Sequence, residues 1–206
     1  MGLGDAGALE EDSRSPRAQV KRAFFKLCKV ILGACALAAV IQIILPPDVP
    51  PRVKVSLRPA QINLDMEAAA IRHRPPALRY TEQDVNTYLD YVFRSKRASF
   101  GTIAPLERVF VRFEEGLCRV NVERSVLHYS LYGGSYYQVR IDGGKLVVSN
   151  QGGNLGRLPI HPLIMKYGDI IFYETWAALE RDRKNVLKME RIEFHPQSVT
   201  LFTKAR

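Results

Sequence analysis

The run LERVFVRFEEGLCRVNVERSVLHYSLYGGSYYQVRIDGGKLVVS, residues Leu106–Ser149, decides the fold. Its hydrophobic period is two. Val109, Val111 and Phe113 alternate with Arg108, Phe110 and Arg112. After the turn Glu114-Glu115-Gly116, one face carries Cys118, Val120, Val122 and Arg124, and the other Arg119, Asn121 and Glu123. Such alternation puts successive side chains on opposite faces of a strand. Leu127–Leu131 continues this strand or begins the next, and Gly133-Gly134 marks a turn or bulge. Tyr136–Ile141 and Lys145–Val148 flank Asp142-Gly143-Gly144, a hairpin signal because glycine adopts positive φ without strain. The stretch therefore predicts a four-stranded antiparallel meander.

The segments on either side supply helices to cover that sheet. Thr81–Arg94 has Thr81 as N-cap, with Glu82 and Asp84 at the positive end of the dipole. Val85, Tyr88, Leu89, Val92 and Phe93 recur at helical spacing, so one face is apolar. Core packing is the plain reading of that face; lining a groove is the other. Upstream, Met66–Ile71 forms a short helix that Pro75 and Pro76 close off. Downstream, Asn150–Leu158 reads as a glycine-rich loop without a phosphate-binding fingerprint. A longer helix follows, from Pro162 to Lys184, with Gly168 as a break. Met165, Phe172, Trp176 and Leu179 mark its apolar face, widened by Ile164, Tyr167 and Ile171. A final hairpin turns at His195–Ser198. The predicted class is α+β: an antiparallel sheet packed against two amphipathic helices, behind one N-terminal transmembrane helix.

That helix is Phe24–Leu45, FFKLCKVILGACALAAVIQIIL. At about 1.5 Å per residue it spans roughly 33 Å, enough for a hydrocarbon core. Pro46 and Pro47 end it. Lys21, Arg22, Lys26 and Lys29 crowd its N-terminal flank, so the positive-inside rule puts the N-terminus in the cytoplasm and the large domain outside. The expected organisation is a cytoplasmic disordered tail (1–23), a transmembrane anchor (24–45), a Pro-rich stalk (46–60) and an extracytoplasmic α+β domain (61–206). Val53, Val55 and Leu57 give the stalk a short strand signal. Three other readings of the apolar run compete: a cleaved signal peptide ending near Ala36-Leu37-Ala38, a lipoprotein signal at Leu32–Cys35, and a buried core helix. Apolar sequence beyond Ala38, the short run before Gly33, and the lack of any polar face from Val30 to Ile41 argue against them in turn.

The formal charge is +9, and residues 1–23 are balanced, so the excess lies in the anchor flank and the domain. The basic residues are scattered and form no nucleic-acid motif. Attraction to an anionic lipid surface or an envelope protein is the expected use of this charge, with solubility the plain alternative. Cys28, Cys35 and Cys118 offer no disulfide framework and no metal spacing. His73, His128, His161 and His195 form no ligand pair, and no serine sits in a nucleophile elbow. The expectation is a non-enzymatic chain with no cofactor and no metal. The bilayer, through Phe24–Leu45, is its first partner; nucleic acid is not one.

Candidate ligand or interface residues are the aromatic ones on the predicted faces. Tyr88 and Phe93 lie on the first helix, and Phe172 and Trp176 on the second. Tyr129, Tyr132, Tyr136 and Tyr137 cluster in sequence around Gly133-Gly134. They suit a binding patch or a membrane interface, although cross-strand pairing is the plainer reading.

The order of elements, with TEQDVNTYL at Thr81–Leu89 and LGRLPIHPL at Leu155–Leu163, resembles the YpmS- and YceB-type membrane-anchored envelope proteins, which look distantly like tubular lipid-binding modules. The resemblance spans about Tyr80–Thr203. The short meander and the Tyr-rich turn depart from that group's pattern. The resemblance implies an extracytoplasmic lipid-related or scaffold role and no catalytic residues. Two functions are expected: a tethered scaffold or interaction domain of the cell envelope, or a lipid or apolar-ligand binding and transfer module.

Overall fold

The structure is a computed structural model of the chain; it describes residues 16–49, 61–96, 104–127, 129–165, 167 and 169–204, without the side chains of 16–18 and 169–171. The chain divides into two compact units, meeting at Gln42 and Ile43.

The first unit is built on helix α1 (Pro16–Ile44). Proline suits the first turn of a helix because its missing N–H would be unpartnered there anyway. The helix begins upstream of Phe24, so Pro16–Ala23, expected as tail, are helical. Within it Gln19–Ile44, with mean hydropathy 2.3, is long and apolar enough to cross a membrane. The tail residues 1–15 and the stalk residues 50–60, with their expected strand at Val53–Leu57, lie outside the described residues.

The second unit is α+β. Its elements are α2 (Ile62–Arg72), β1 (Ala77–Thr81), α3 (Glu82–Lys96), β2 (Leu106–Glu114), β3 (Leu117–Val126), β4 (Tyr129–Asp142), β5 (Lys145–Leu155) and β6 (Leu158–Ile160). They continue with α4 (Pro162–Met165), α5 (Asp169–Ala178), α6 (Glu180–Val186), β7 (Met189–His195) and β8 (Ser198–Thr203). Strands β2 to β6 form one antiparallel sheet in chain order. The final hairpin joins β1 in a separate three-stranded sheet, ordered β1-β8-β7.

The meander is present, with five strands where four were expected. Asn150–Leu158 is not a loop: Asn150–Leu155 ends β5, and the chain turns at Gly156-Arg157 into β6. Gly153 serves close packing instead. A Cβ on Gly153 would lie 2.8 Å from Cε of Met165 and would also meet the Gly134 carbonyl. Gly133-Gly134 is likewise no turn but the middle of β4. Opposite it, Asn121 and Asn154 pair in register on the flanking strands. Their side-chain oxygens occupy the space a Gly134 Cβ would need, the Asn121 Oδ1 at 2.7 Å. The turn lies earlier, at Leu127, in the left-handed region with φ 49°.

Helix α3 is capped as its sequence predicts. The Thr81 hydroxyl donates to Asp84 Oδ2 at 2.7 Å, and the Asp84 N–H returns to Thr81 Oγ1 at 3.2 Å. Leu89 and Phe93 are buried on its apolar face. Asn86 is buried with them. It accepts from the Val111 N–H at 2.7 Å and donates to the Val111 carbonyl at 3.0 Å. Strand β2 is a sheet edge, and such edges present unpaired backbone groups. Glu82 Oε2 accepts from the Phe113 N–H, and the Gln197 N–H donates to the Phe113 carbonyl. Helix α3 and the β7–β8 turn thus satisfy this edge with side chains and a loop.

The core runs between the two sheets and α3. Val109, Phe113, Val122, Met189, Phe194, Val199 and Leu201 are buried in it, and the Phe113 and Phe194 rings lie 5.5 Å apart. The opposite face of β2 and β3 is also covered: Arg108, Phe110, Asn121 and Glu123 are buried. Both faces of this strand pair therefore carry buried side chains.

The predicted helix Pro162–Lys184 is three short helices. Met165 and Phe172 are buried, whereas Ile164 and Tyr167 are exposed and do not widen the inner face. Gly168 and the Ile171 side chain lie outside the described residues.

Candidate functional site

At its β4–β5 end the sheet runs out from under the helices. Strands β3, β4 and β5 supply a floor of alternating side chains: Val120 from β3, Tyr137 and Val139 from β4, Leu146 and Val148 from β5. Opposite stand Tyr173 and Trp176 of α5, Leu179 beyond it, Val186 and Leu187 at the end of α6, and Ile192 of β7. Between them lies a cleft of about 870 Å³. Pockets that take small ligands measure roughly 300–1,000 Å³ and are mostly apolar, with a few polar groups. This one fits that description. Its polar lining includes Asn150 and Asp182, with Lys145 and Arg183 also present.

Each wall is held by identifiable contacts. The Tyr137 ring meets Trp176 edge-on at 5.4 Å, and Trp176 stacks on Phe172 at 6.4 Å. Such aromatic pairs add about 0.5–1.5 kcal/mol beyond area burial. Arg124 of β3 bonds Glu174 of α5 at 2.8 Å. Helix α6 is fixed by Asp182. Its Oδ1 accepts from the Tyr88 hydroxyl at 2.6 Å and from Asn63 Nδ2 at 2.9 Å, tying α6 to α3 and α2. Burial, and then the bond to Asp182, raises the Tyr88 pKa well above the ordinary phenol value, so the hydroxyl stays protonated as a donor. Asn185 adds a second link to Asn63. On the floor, the Cys118 thiol is pushed up to about 12, mainly by burial, and stays neutral.

The candidates from the sequence separate on this frame. Tyr137 and Trp176 line the cleft, and Phe172 is a buried brace behind Trp176. Tyr88 is a strut, and Phe93 is core. The tyrosine cluster does not form, because a strand sends neighbours to opposite faces. Tyr132 and Tyr136 share the face away from Tyr137, and Tyr136 lies under the Arg119 guanidinium at 5.0 Å. Tyr129 is exposed at the start of β4. Sequence reading missed Val120, Val139, Leu146, Val148 and Ile192 as lining residues. Their alternation signals strands, but nothing local says which part of a strand the helices leave uncovered.

A second groove, of about 620 Å³, lies on the other face of the sheet, bordered by Pro46, Val49, Arg119, Tyr136, Asn154 and Arg157. Its polar groups are already engaged. Arg119 donates to Asn121 and Asn154, and Arg157 Nε donates to the Pro46 carbonyl at 2.9 Å. Asp48 accepts from Arg112 at 2.9 Å. This groove seats the start of the second unit.

Among the described residues no three His, Cys, Asp or Glu side chains are grouped so as to hold a metal ion. His195 lies 3.4 Å from Glu115 and 3.8 Å from Glu193, an exposed cluster joining the β2–β3 turn to β7. No protein-family model, curated protein or solved structure matches the chain.

Proposed function

We propose that the chain is a membrane-tethered, non-enzymatic binding module that holds an apolar or amphipathic molecule, such as a lipid acyl chain, in the cleft between β3–β5 and α5–α6. The cleft is the observation that carries this reading: about 870 Å³ with a mainly aliphatic and aromatic lining. Leaving such side chains open to water forgoes about 25 cal/mol per Å² of burial, which an apolar occupant recovers. The leading expectation from the sequence, a scaffold of the cell envelope, calls for a filled interior, and the open cleft favours the second expectation over it. The apolar helix Gln19–Ile44 is the tether. Its basic flank at Lys21, Arg22, Lys26 and Lys29 keeps the N-terminus cytoplasmic, with the binding domain periplasmic or extracellular.

Photo-crosslinking tests the reading. The full chain in lipid nanodiscs is exposed to a diazirine-bearing fatty acid and the adducts are mapped by peptide mass spectrometry. Adducts on the cleft floor, at Val120, Tyr137, Val139 or Leu146, are expected. Adducts confined to Gln19–Ile44 would exclude cleft binding. Protease access in intact cells tests the topology: digestion of residues 1–15 rather than of the domain would reverse it.

A further inference from the structure

Helices α4 and α5 are held to the sheet by their inward side chains. Met165 packs on Gly153, and Phe172 is buried behind Trp176. The same run of chain leaves large apolar side chains exposed. Leu163 is 64% exposed, Ile164 62%, Tyr167 82% and Tyr173 71%, and Trp176 is partly open. Scattered exposed apolar residues are ordinary, but five within one short run anchored from behind are not. Tyr173 and Trp176 also line the cleft, so two of the five border it.

The composition identifies the occupant. Tyrosine and tryptophan favour the headgroup level of a bilayer, where one part of the ring is dry and the polar tip is wet, and Leu and Ile next to them supply insertion. A helix of the same chain is long and apolar enough to cross a membrane. Lys145 and Arg183, at the cleft, are exposed cations that draw in acidic headgroups. From these observations we infer that Leu163, Ile164, Tyr167, Tyr173 and Trp176 form a membrane-docking face that seats in the headgroup region of the bilayer and presents the cleft mouth to lipid. The inference rests on the tethered lipid-binding reading above and specifies how the ligand enters.

The chain has one tryptophan, so fluorescence can be placed at will. The full chain carrying Trp176→Phe and Tyr167→Trp is reconstituted in vesicles of phosphatidylcholine and phosphatidylglycerol. Position 167 lies outside the cleft, so this probe reads docking and not occupancy. The expected result is a blue shift, loss of intensity with lipids brominated high on the acyl chain, and shielding from iodide. Adding Leu163→Ser and Ile164→Ser, two exposed positions, should reverse all three. A probe fully open to iodide and unaffected by brominated lipid overturns the inference. So does a probe shielded from iodide but unaffected by brominated lipid, which would mean that protein, a second copy included, covers the face. Cleft adducts from the photoactivatable fatty acid together with an undocked probe would leave the binding reading standing and remove this one.

Discussion

The two ends of the interior differ in how they are closed. At the α3 end, Leu89, Phe93, Val109, Phe113 and Phe194 are buried, and the exposed edge of β2 is satisfied by Asn86 and Glu82. At the α5–α6 end the floor residues Val120 and Tyr137 are buried as well, but apolar side chains above and beside them border a cleft: Val148 is 49% exposed and Trp176 39%. The sheet is continuous through both ends, so the contrast comes from what covers it. Helix α3 runs for 15 residues with a capped start, whereas the downstream cover is broken into pieces of 4, 10 and 7 residues. A long amphipathic helix can follow a twisted strand and fill its face. Short helices anchored at separate points, Met165 on Gly153 and Asp182 on Tyr88, leave a gap between the anchors.

Mutations should separate the ends, beginning with the largest effect. Phe194→Ala removes a buried side chain packed on Phe113 at the closed end and should cost about 3–5 kcal/mol. Val148→Ala at the open end should cost well under about 1 kcal/mol, because little burial is lost. Urea unfolding of the full chain in mild detergent, followed by the fluorescence of Trp176, gives both values. Equal losses would remove the distinction.

Next comes the closed edge. Asn86→Ala strands the Val111 N–H and carbonyl and should cost about 1–3 kcal/mol in the same assay, and Asn86→Asp, which keeps the acceptor but loses the donor and buries a charge, should not recover it. A neutral Asn86→Ala would show that water satisfies the edge equally well.

Much of this was legible from the sequence, and the reasons are local. Thr81 and Asp84 announce the start of α3, and the period-two run from Leu106 announces the sheet. The errors are local too. Gly134 and Gly153, read as punctuation, are strand residues, required because neighbouring atoms occupy the space of a Cβ, whereas Gly156 does mark a turn, with φ 57°. Strand β1, five residues after two prolines, is too short to signal itself and forms by pairing with β8. Asn86, on the apolar side of a helix, carries no sign of the strand edge it serves. The cleft is the least legible feature, since Val120, Val148 and Val186 meet only through tertiary structure. Trp176 and Tyr137 were picked out for being aromatic, and their place in the cleft depended on helix breaks that the sequence showed only in part.

The smallest predicted effect is alkaline. Tyr80 and Tyr88 both have folded pKa values raised above the ordinary phenol value, first by burial and then by Asp65 and Asp182 respectively. The folded state therefore holds their protons more tightly than the unfolded state does. Their stabilisation is intact below about pH 10 and is lost as pH rises through the folded values. Tyr88→Phe should flatten the decline in stability above pH 10, measured as the urea midpoint against pH. An unchanged slope would mean that Asp182 does not depend on this proton for its hold on α3.

On the proposed reading, the open end is open for a ligand. Its most direct measurement is native mass spectrometry of the full chain released from polymer-extracted membranes, wild type beside the cleft-filling double variant Val139→Phe/Ile192→Phe. The expected result is an apolar or amphipathic small molecule bound to the wild type and lost from the variant. Identical spectra without bound mass, or the same mass retained by both, would contradict it.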